Sequence, residues 1–262
     1  MSTKSKYTSK KPNSRGVIDW SISENRIWYQ LITKQVEKIQ GKVCSEYLKG
    51  LAKLNLPFDR IPQLQEINSV IKPKTGWIVE PVSCLISFDR FFELLAARKF
   101  PCATFIRSQD DMLYLQEPDI FHEIFGHCPM LTDPHFADFT ARYGQIGMNA
   151  SHKERVMLAR LYWFTVEFGL IKRAGQMYIY GGGIISSIGE TEYALSDKPK
   201  VTPLKLLDVL RTPYRIDIMQ PHYFYIEKFS DFEDLREAQV MNAVHRAMKL
   251  GLFEPEYPPK SA

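Results

Sequence analysis

The sequence predicts a single, mainly α-helical domain with a few short β-strands. Apolar residues recur at helical spacing over long stretches, as in Ile27, Trp28, Leu31, Ile32, Val36 and Ile39. Helix-start signals precede several such stretches, whereas the strand-like runs are short. The 262 residues, 45% apolar and 24% charged, suffice for one sizeable core, and no linker divides them.

The elements follow in order. Residues 1–16 form a basic tail carrying Lys4, Lys6, Lys10, Lys11 and Arg15 without an acid. Of the net charge of +4, +5 therefore sits in this tail, and the body, residues 17–262, is left at −1. Such a tail is expected to be a disordered, solvated arm, and the near-neutral body does not indicate nucleic-acid binding. Ser21 with Glu24 three residues on reads as a capping box that opens the first helix. Leu56-Pro57 and Ile61-Pro62 mark turns. Trp77 to Val82 reads as a strand, Ser87 as the cap of a helix from Asp89 to Phe100, and Ala103 to Arg107 as a second strand. Pro118 suits the first turn of a helix, with Asp119 at its positive end. Asp133-Pro134 opens a helix ending near Gly144 or Gly147, and His152 to Lys172 is the longest helical candidate after the first. Gln176 to Tyr180 and Tyr223 to Phe229 are strand-like, and a capping box at Ser230–Glu233 starts a last helix to about Leu250. No apolar run approaches the roughly 20 residues of a membrane span, and the amino terminus has no apolar secretory stretch. Cys44, Cys84, Cys102 and Cys128 are scattered without a C-x-x-C, which points to reduced thiols and a cytoplasmic location.

The chemistry concentrates at Pro118-Asp119-Ile120-Phe121-His122-Glu123-Ile124-Phe125-Gly126-His127. Zinc proteases place histidines at i and i+4, about 40° apart around a helix; at i and i+5 they are about 140° apart. A regular helix cannot aim His122 and His127 at one ion, so the second must lie where the helix ends or bulges. Gly126 and Pro129 supply such a break. Glu167 lies inside the apolar run Leu161-Tyr162-Trp163-Phe164-Thr165-Val166-Glu167-Phe168-Gly169-Leu170. A buried carboxylate needs a cation or a metal, and both partners remain open at this point. Two imidazoles and one carboxylate are the minimal ligand set of a non-heme Fe(II) oxygenase. The same residues also fit a zinc hydrolase with Glu123 as general base, or a non-catalytic binding protein with a structural salt bridge. The H-x-D…H order of the 2-oxoglutarate oxygenases is absent.

Residues 117–127, 161–170 and Tyr180-Gly181-Gly182-Gly183-Ile184-Ile185-Ser186-Ser187 together resemble the pterin-dependent aromatic amino acid hydroxylases. The 40 residues from His127 to Glu167 match that family's spacing, and the likeness runs from about Trp20 to Phe232. The resemblance implies a basket-like helical catalytic domain of the bacterial phenylalanine 4-hydroxylase type. It implies L-phenylalanine, O2 and a tetrahydropterin as reactants, and Fe(II) held by His122, His127 and Glu167. No membrane or nucleic-acid partner is implied. Without the regulatory domain and tetramerisation helix of the animal enzymes, the chain is expected to be a monomer or homodimer.

By the same resemblance Arg107 grips the substrate carboxylate, and its planar fork suits that task. Ser186 stands near that carboxylate and the first iron histidine, where it can fix a tautomer. Trp163, Phe168 and the ring of His122 wall the aromatic pocket. The pterin stacks on Phe91, the backbone at Leu85 and Ile86 reads its edge, and Glu123 mediates proton traffic beside it. Trp163 stands where tryptophan hydroxylases generally have Phe, and Ile216 where tyrosine hydroxylases carry Asp, so phenylalanine ranks before tyrosine and tryptophan. Three departures from the family stand out: Cys84 where many members have Gly, Phe88-Asp89-Arg90 in place of Ser-Arg-Asp, and Leu115-Gln116 where animal members have Thr-Pro.

Overall fold

Helices form where an apolar stripe follows a cap. In the computed structural model, which describes residues 5–112 and 117–259, α1 (Ile22–Lys38) starts at Ser21. The Ser21 hydroxyl accepts from the Glu24 N–H and the Glu24 carboxylate accepts from the Ser21 N–H, an arrangement worth about 0.5–2 kcal/mol. The stripe of Trp28, Leu31 and Ile32 is buried. Two further helices, α2 (Ser45–Leu54) and α3 (Leu64–Thr75), lead to a β–α–β unit of β1 (Ile78–Val82), α4 (Phe88–Ala96) and β2 (Lys99–Ala103). Its strands pair in parallel from Ile78 opposite Lys99 to Val82 opposite Ala103. Next come α5 (Pro134–Asn149), α6 (His152–Tyr162), the hairpin β3 (Leu170–Arg173) and β4 (Gln176–Ile179), α7 (Gly182–Ile185) and α8 (Ile188–Tyr193). The chain closes with β5 (Lys200–Pro203), α9 (Leu206–Arg211), β6 (His222–Ile226) and α10 (Glu237–Leu250). The second sheet has the order β4-β3-β6-β5, antiparallel only between β3 and β4. One buried apolar cluster runs from Ile18 to Ala247 and joins helices and sheets into a mainly α body. Among the described residues no helix is long and apolar enough to cross a membrane.

Several boundaries differ from the sequence reading, each for a tertiary reason. The helix expected to reach Phe100 stops at Ala96, and Arg98 turns left-handed (φ 55°) so that Lys99 can join β1. The second strand therefore lies at Lys99–Ala103, not Ala103–Arg107; its ladder ends where β1 ends. The long helix expected over His152–Lys172 is α-helical to Tyr162, continues as a π turn to Glu167 and stops there, because Leu170–Arg173 pairs with Gln176–Ile179 instead. The strand expected over Tyr223–Phe229 is His222–Ile226. The last helix begins at Glu237, since the Asp231 carboxylate turns back to accept from the Glu227 and Lys228 N–H groups and holds residues Phe229–Asp234 in a 3-10 turn. α5 runs past Gly147 to Asn149; the glycine serves close packing there, because a Cβ would come within 2.0 Å of the Phe92 ring on α4.

The basic tail is corrected as well. Residues 7–10 are laid against the body, while Lys6, Lys11 and Arg15 stay exposed. Lys10 N–H donates to Thr104 O (2.8 Å), the Thr104 hydroxyl donates to Lys10 O (2.6 Å), and Tyr7 stacks on Phe105 at 4.5 Å. These contacts supply the partners that the end of β2 lacks. The Cys84 thiol donates to Tyr7 O (3.2 Å), which ties the tail to the loop expected to meet the pterin. Lys4 and the Leu115-Gln116 departure lie outside the described residues.

Gly147→Ala is expected to destabilise the fold by about 1–3 kcal/mol through overpacking against Phe92. An unchanged midpoint in urea denaturation would contradict this.

Candidate metal centre and active site

Both segments that carry the expected ligands are π-helical. His122–His127 forms one such turn and Trp163–Glu167 the other. A π turn closes its hydrogen bonds at i→i+5 and holds one residue more than an α turn. The fifth residue therefore returns to the face that i+4 would occupy, and His122 and His127 face the same point. Of the expected alternatives, an end or a bulge, the chain takes the bulge, and Gly126 and Pro129 do not break it: Cys128 and Pro129 stay helical (φ −59° and −57°). Pro129 has no N–H to offer Phe125 O, and the Tyr47 hydroxyl donates to that carbonyl instead, at 2.6 Å. Gly126 allows close packing, since a Cβ there would lie 2.7 Å from Gly182 O. In the second turn Phe168 N–H donates to Trp163 O at 2.8 Å, which closes the bulge directly after Glu167.

The donor atoms converge. His122 Nε2 and His127 Nε2 are 3.0 Å apart. Glu167 Oε1 lies 3.3 Å from His127 Nε2 and Oε2 3.6 Å from His122 Nε2. Ligands about 2.1 Å from one ion and at right angles stand about 3 Å apart, so this set fits a metal with open positions opposite. Burial raises the Glu167 carboxyl, but the imidazoles of His127 and His122 outweigh it and hold the group below its ordinary range. Burial pushes the His122 imidazole down to about 4 against the opposing Glu167 charge, so it is neutral and ready to ligate at pH 7. Its Nδ1 lies 2.9 Å from Ser186 Oγ. With Nε2 facing the metal position, Nδ1–H is the donor. His127 Nδ1 has no hydrogen-bond partner among the described residues; its ring packs on Phe100 at 5.1 Å.

Glu123 also places a ligand atom within 4.8 Å of those of both histidines. Burial, reinforced by the Glu167 and Asp119 charges, raises its carboxyl well above the ordinary range. Glu167 stands closer, with Oε1 3.3 Å from His127 Nε2 and Oε2 3.6 Å from His122 Nε2, and its carboxyl is held low rather than raised. Glu167 is therefore the third ligand that this geometry favours.

A cavity of about 550 Å³ opens over these atoms, within the usual range for small-molecule sites. His122, Glu123 and Glu167 line it, together with Phe91, Ile86, Arg107, Trp163, Phe168, Ser186 and Ile216. Leu85 does not; its side chain is exposed. Ile216 is half exposed, at the cavity mouth. Phe91 stands edge-on to Tyr162 and Phe92. The Trp163 indole lies between Phe168 (4.4 Å) and Tyr214 (4.5 Å).

Asp119, read from sequence only as a charge at a helix start, has a larger part. Fully buried, it accepts from Arg107 Nε (2.7 Å), Arg107 Nη2 (2.9 Å), the Arg107 N–H (3.0 Å) and the His122 N–H (3.0 Å). Burial raises its carboxyl, yet the Arg107 guanidinium and these N–H groups hold it below the carboxylate range. One side chain thus orients the cavity's guanidinium and caps the turn of the first histidine. The signal for it was an acid three residues before His122. Gln220, which accepts from Trp163 Nε1 at 3.1 Å, had no sequence signal at all.

Residues 2–255 match the biopterin-dependent aromatic amino acid hydroxylases. The chain belongs to this family. It is 56% identical over 255 residues to the phenylalanine-4-hydroxylase of Vibrio cholerae, covering 97% of this chain and 88% of that protein. Identity to the phenylalanine-4-hydroxylase of Pseudomonas aeruginosa is 52%, over 98% of both. The apo structure of the cold-active phenylalanine hydroxylase from Colwellia psychrerythraea superposes with a TM-score of 0.93 at 54% identity, over 95% of this chain and 97% of that one. A Chromobacterium violaceum phenylalanine hydroxylase, with bound iron(III) and 7,8-dihydrobiopterin, superposes at 0.87 with 38% identity, over 93% and 88%. For a member of this family, a metal-ready triad beside a cavity with room for an aromatic substrate and a pterin is the arrangement its chemistry requires.

Two carboxylate variants separate the possible third ligands. Glu167→Ala is expected to lose stoichiometric metal while Glu123→Gln keeps it; metal analysis giving the reverse would exchange their roles. A second expectation concerns acid. The His122 imidazole is lowered from 6.5 to about 4, so on unfolding in this window the chain takes up a proton. The metal-free protein should therefore lose stability as pH falls from 6.5 to about 4, by at most about 1.4 kcal/mol per pH unit from this group. Denaturation of His122→Gln should show a correspondingly shallower pH slope, and equal slopes would refute the assignment.

Proposed function

We propose that this chain inserts one oxygen atom of O2 at the para carbon of L-phenylalanine, giving L-tyrosine, with a tetrahydropterin as the co-substrate that takes the other atom. Its Fe(II) is held by His122, His127 and Glu167. The observation that carries the reading is that His122 and Glu167 line the same cavity as Arg107 and Trp163, with the buried His127 Nε2 3.0 Å from His122 Nε2 and 3.3 Å from Glu167 Oε1. The names and high identity of the bacterial relatives support phenylalanine as the substrate.

Fe(II) and the pterin, when bound, supply the activation of O2. The protein supplies orientation. Arg107, its fork held rigid by Asp119, receives the substrate carboxylate. Trp163 and Phe168 flank the ring, and the apolar Ile216 at the mouth offers nothing to a phenol hydroxyl. Ser186 accepts from His122 Nδ1–H and so keeps Nε2 free for the metal. Phe91, with the backbone at Ile86 and the neighbouring Leu85, takes the pterin, and Glu123, whose carboxyl burial raises well above the ordinary range, lines the same cavity as a proton carrier. Four free thiols support a cytoplasmic location.

Loading with Fe(II) under anaerobic conditions, adding L-phenylalanine and tetrahydropterin and then admitting air should yield tyrosine; its absence would defeat the reading. Arg107→Lys keeps the charge but loses the fork. It should weaken phenylalanine binding by about 1.5–3 kcal/mol, seen as at least a roughly tenfold rise in KM. An unchanged KM would remove Arg107 from the carboxylate site.

A further inference from the structure

Gln220 is almost fully buried, yet its side chain has every polar group engaged: two contacts go to the cavity-lining residues Trp163 and Ile218, and the third to Arg215, which adjoins the lining residue Ile216. Oε1 accepts from Trp163 Nε1 (3.1 Å). Nε2 donates to Arg215 O (2.8 Å) and to Ile218 O (2.9 Å). Those two carbonyls bracket Ile216 and Asp217, which line the cavity mouth together with Ile218 and Met219. The backbone of Gln220 is anchored as well: its N–H donates to Glu190 Oε1 (3.1 Å), which the Tyr223 hydroxyl also reaches. Glu190 itself lines the cavity from α8.

We propose that Gln220 is a specificity-determining positioning residue, whose amide clamps the Trp163 wall to the 215–218 loop and so fixes the width of the aromatic pocket. The inference rests on the functional reading above and deepens it. A primary amide has two N–H donors and one carbonyl acceptor, and the clamp needs all of them at once. Asn is one methylene short. Glu retains an acceptor for the indole but turns a bare oxygen toward two carbonyl oxygens. Because the group is buried, the loop cannot move away from Trp163 without stranding polar atoms out of water, which is costly. A bicyclic indole ring, or a phenol seeking a partner for its hydroxyl, would require that movement. Phenylalanine does not. Stacking of Trp163 between Phe168 and Tyr214 fixes the tilt of the wall; Gln220 fixes its distance from the loop.

The test uses the Fe(II)-loaded full chain as wild type, Gln220→Glu, Gln220→Leu, Trp163→Phe and the Trp163→Phe/Gln220→Leu double variant. Calorimetry measures binding of L-phenylalanine and L-tryptophan without pterin, and steady-state assays give KM for phenylalanine and pterin separately. Gln220→Glu and Gln220→Leu should raise the phenylalanine KM, and narrow the phenylalanine-over-tryptophan binding ratio, each by about tenfold, with the pterin KM unchanged. In the Trp163→Phe background, Gln220→Leu should add much less than it does alone, because the two act as one unit. Should Gln220→Leu fail to fold on thermal melting, the near-isosteric Gln220→Glu carries the test. An unchanged ratio, equal rises in both KM values, or full additivity would overturn the proposal. A wild type that makes no tyrosine and binds no aromatic amino acid would instead defeat the functional reading.

Discussion

Two imidazoles 3.0 Å apart cannot be presented by a regular α-helix on residues five apart, and the fold answers this by widening the helix at His122–His127; a second π turn, Trp163–Glu167, carries the carboxylate to them. Everything around the site accommodates those two π turns. Pro129, just past the first turn, leaves Phe125 O without its usual N–H partner, and buried carbonyls must be satisfied. Tyr47 from α2 reaches Phe125 O, and the Cys128 thiol reaches Glu123 O. α7 packs against the first turn closely enough that Gly126 can carry no side chain. The second turn ends a helix and aims Glu167, before the chain enters β3, whose pairing in the larger sheet fixes where that helix must stop.

Electrostatics divides the labour among the acids. Asp119, Glu123 and Glu167 are all buried near one another, and each has a different state for a different physical reason. Asp119 remains anionic because a guanidinium and backbone N–H groups surround it. Glu167 is anionic because two imidazoles face it. Among the described residues Glu123 has no cationic side chain against it, and burial together with the other two charges raises its carboxyl well above the ordinary range. Arg107, Glu123 and Glu167 thus line one cavity, each with its charge set by a different environment. The tail adds a further constraint. By binding Thr104, Phe105 and Cys84, residues 7–10 join the segment that carries Arg107 to the loop on the pterin side.

The sequence left the position of the ligands legible and their local geometry only half so. His122 and His127 declared a distortion through their spacing, but Gly126 and Pro129 pointed to a break where the chain in fact keeps helical angles and adds a residue to the turn. Glu167 declared itself as a charge in an apolar run, though within a helix drawn too long. Boundaries such as that helix end, the shift of β2 to Lys99–Ala103 and the late start of α10 depend on pairing and capping partners far away in the chain. Local periodicity carries no record of those partners.

What the sequence determined by itself was the inventory and its pattern: mainly helical stripes, the His–His–Glu set, a cavity-facing arginine and a pair of apolar residues at Trp163 and Ile216. Residue type and near-neighbour spacing encode the helical stripes and the His–His–Glu pattern directly, whereas Arg107, Trp163 and Ile216 were indicated by the resemblance to the family. Tertiary structure alone decided that Asp119 serves Arg107 and His122 together, that the basic tail is held against β2, and that Gln220 ties Trp163 to the loop 57 residues away. Each of these is a polar contact made because burial removed water from groups that must still be hydrogen-bonded. Which groups meet under that requirement is fixed only when the whole chain has packed.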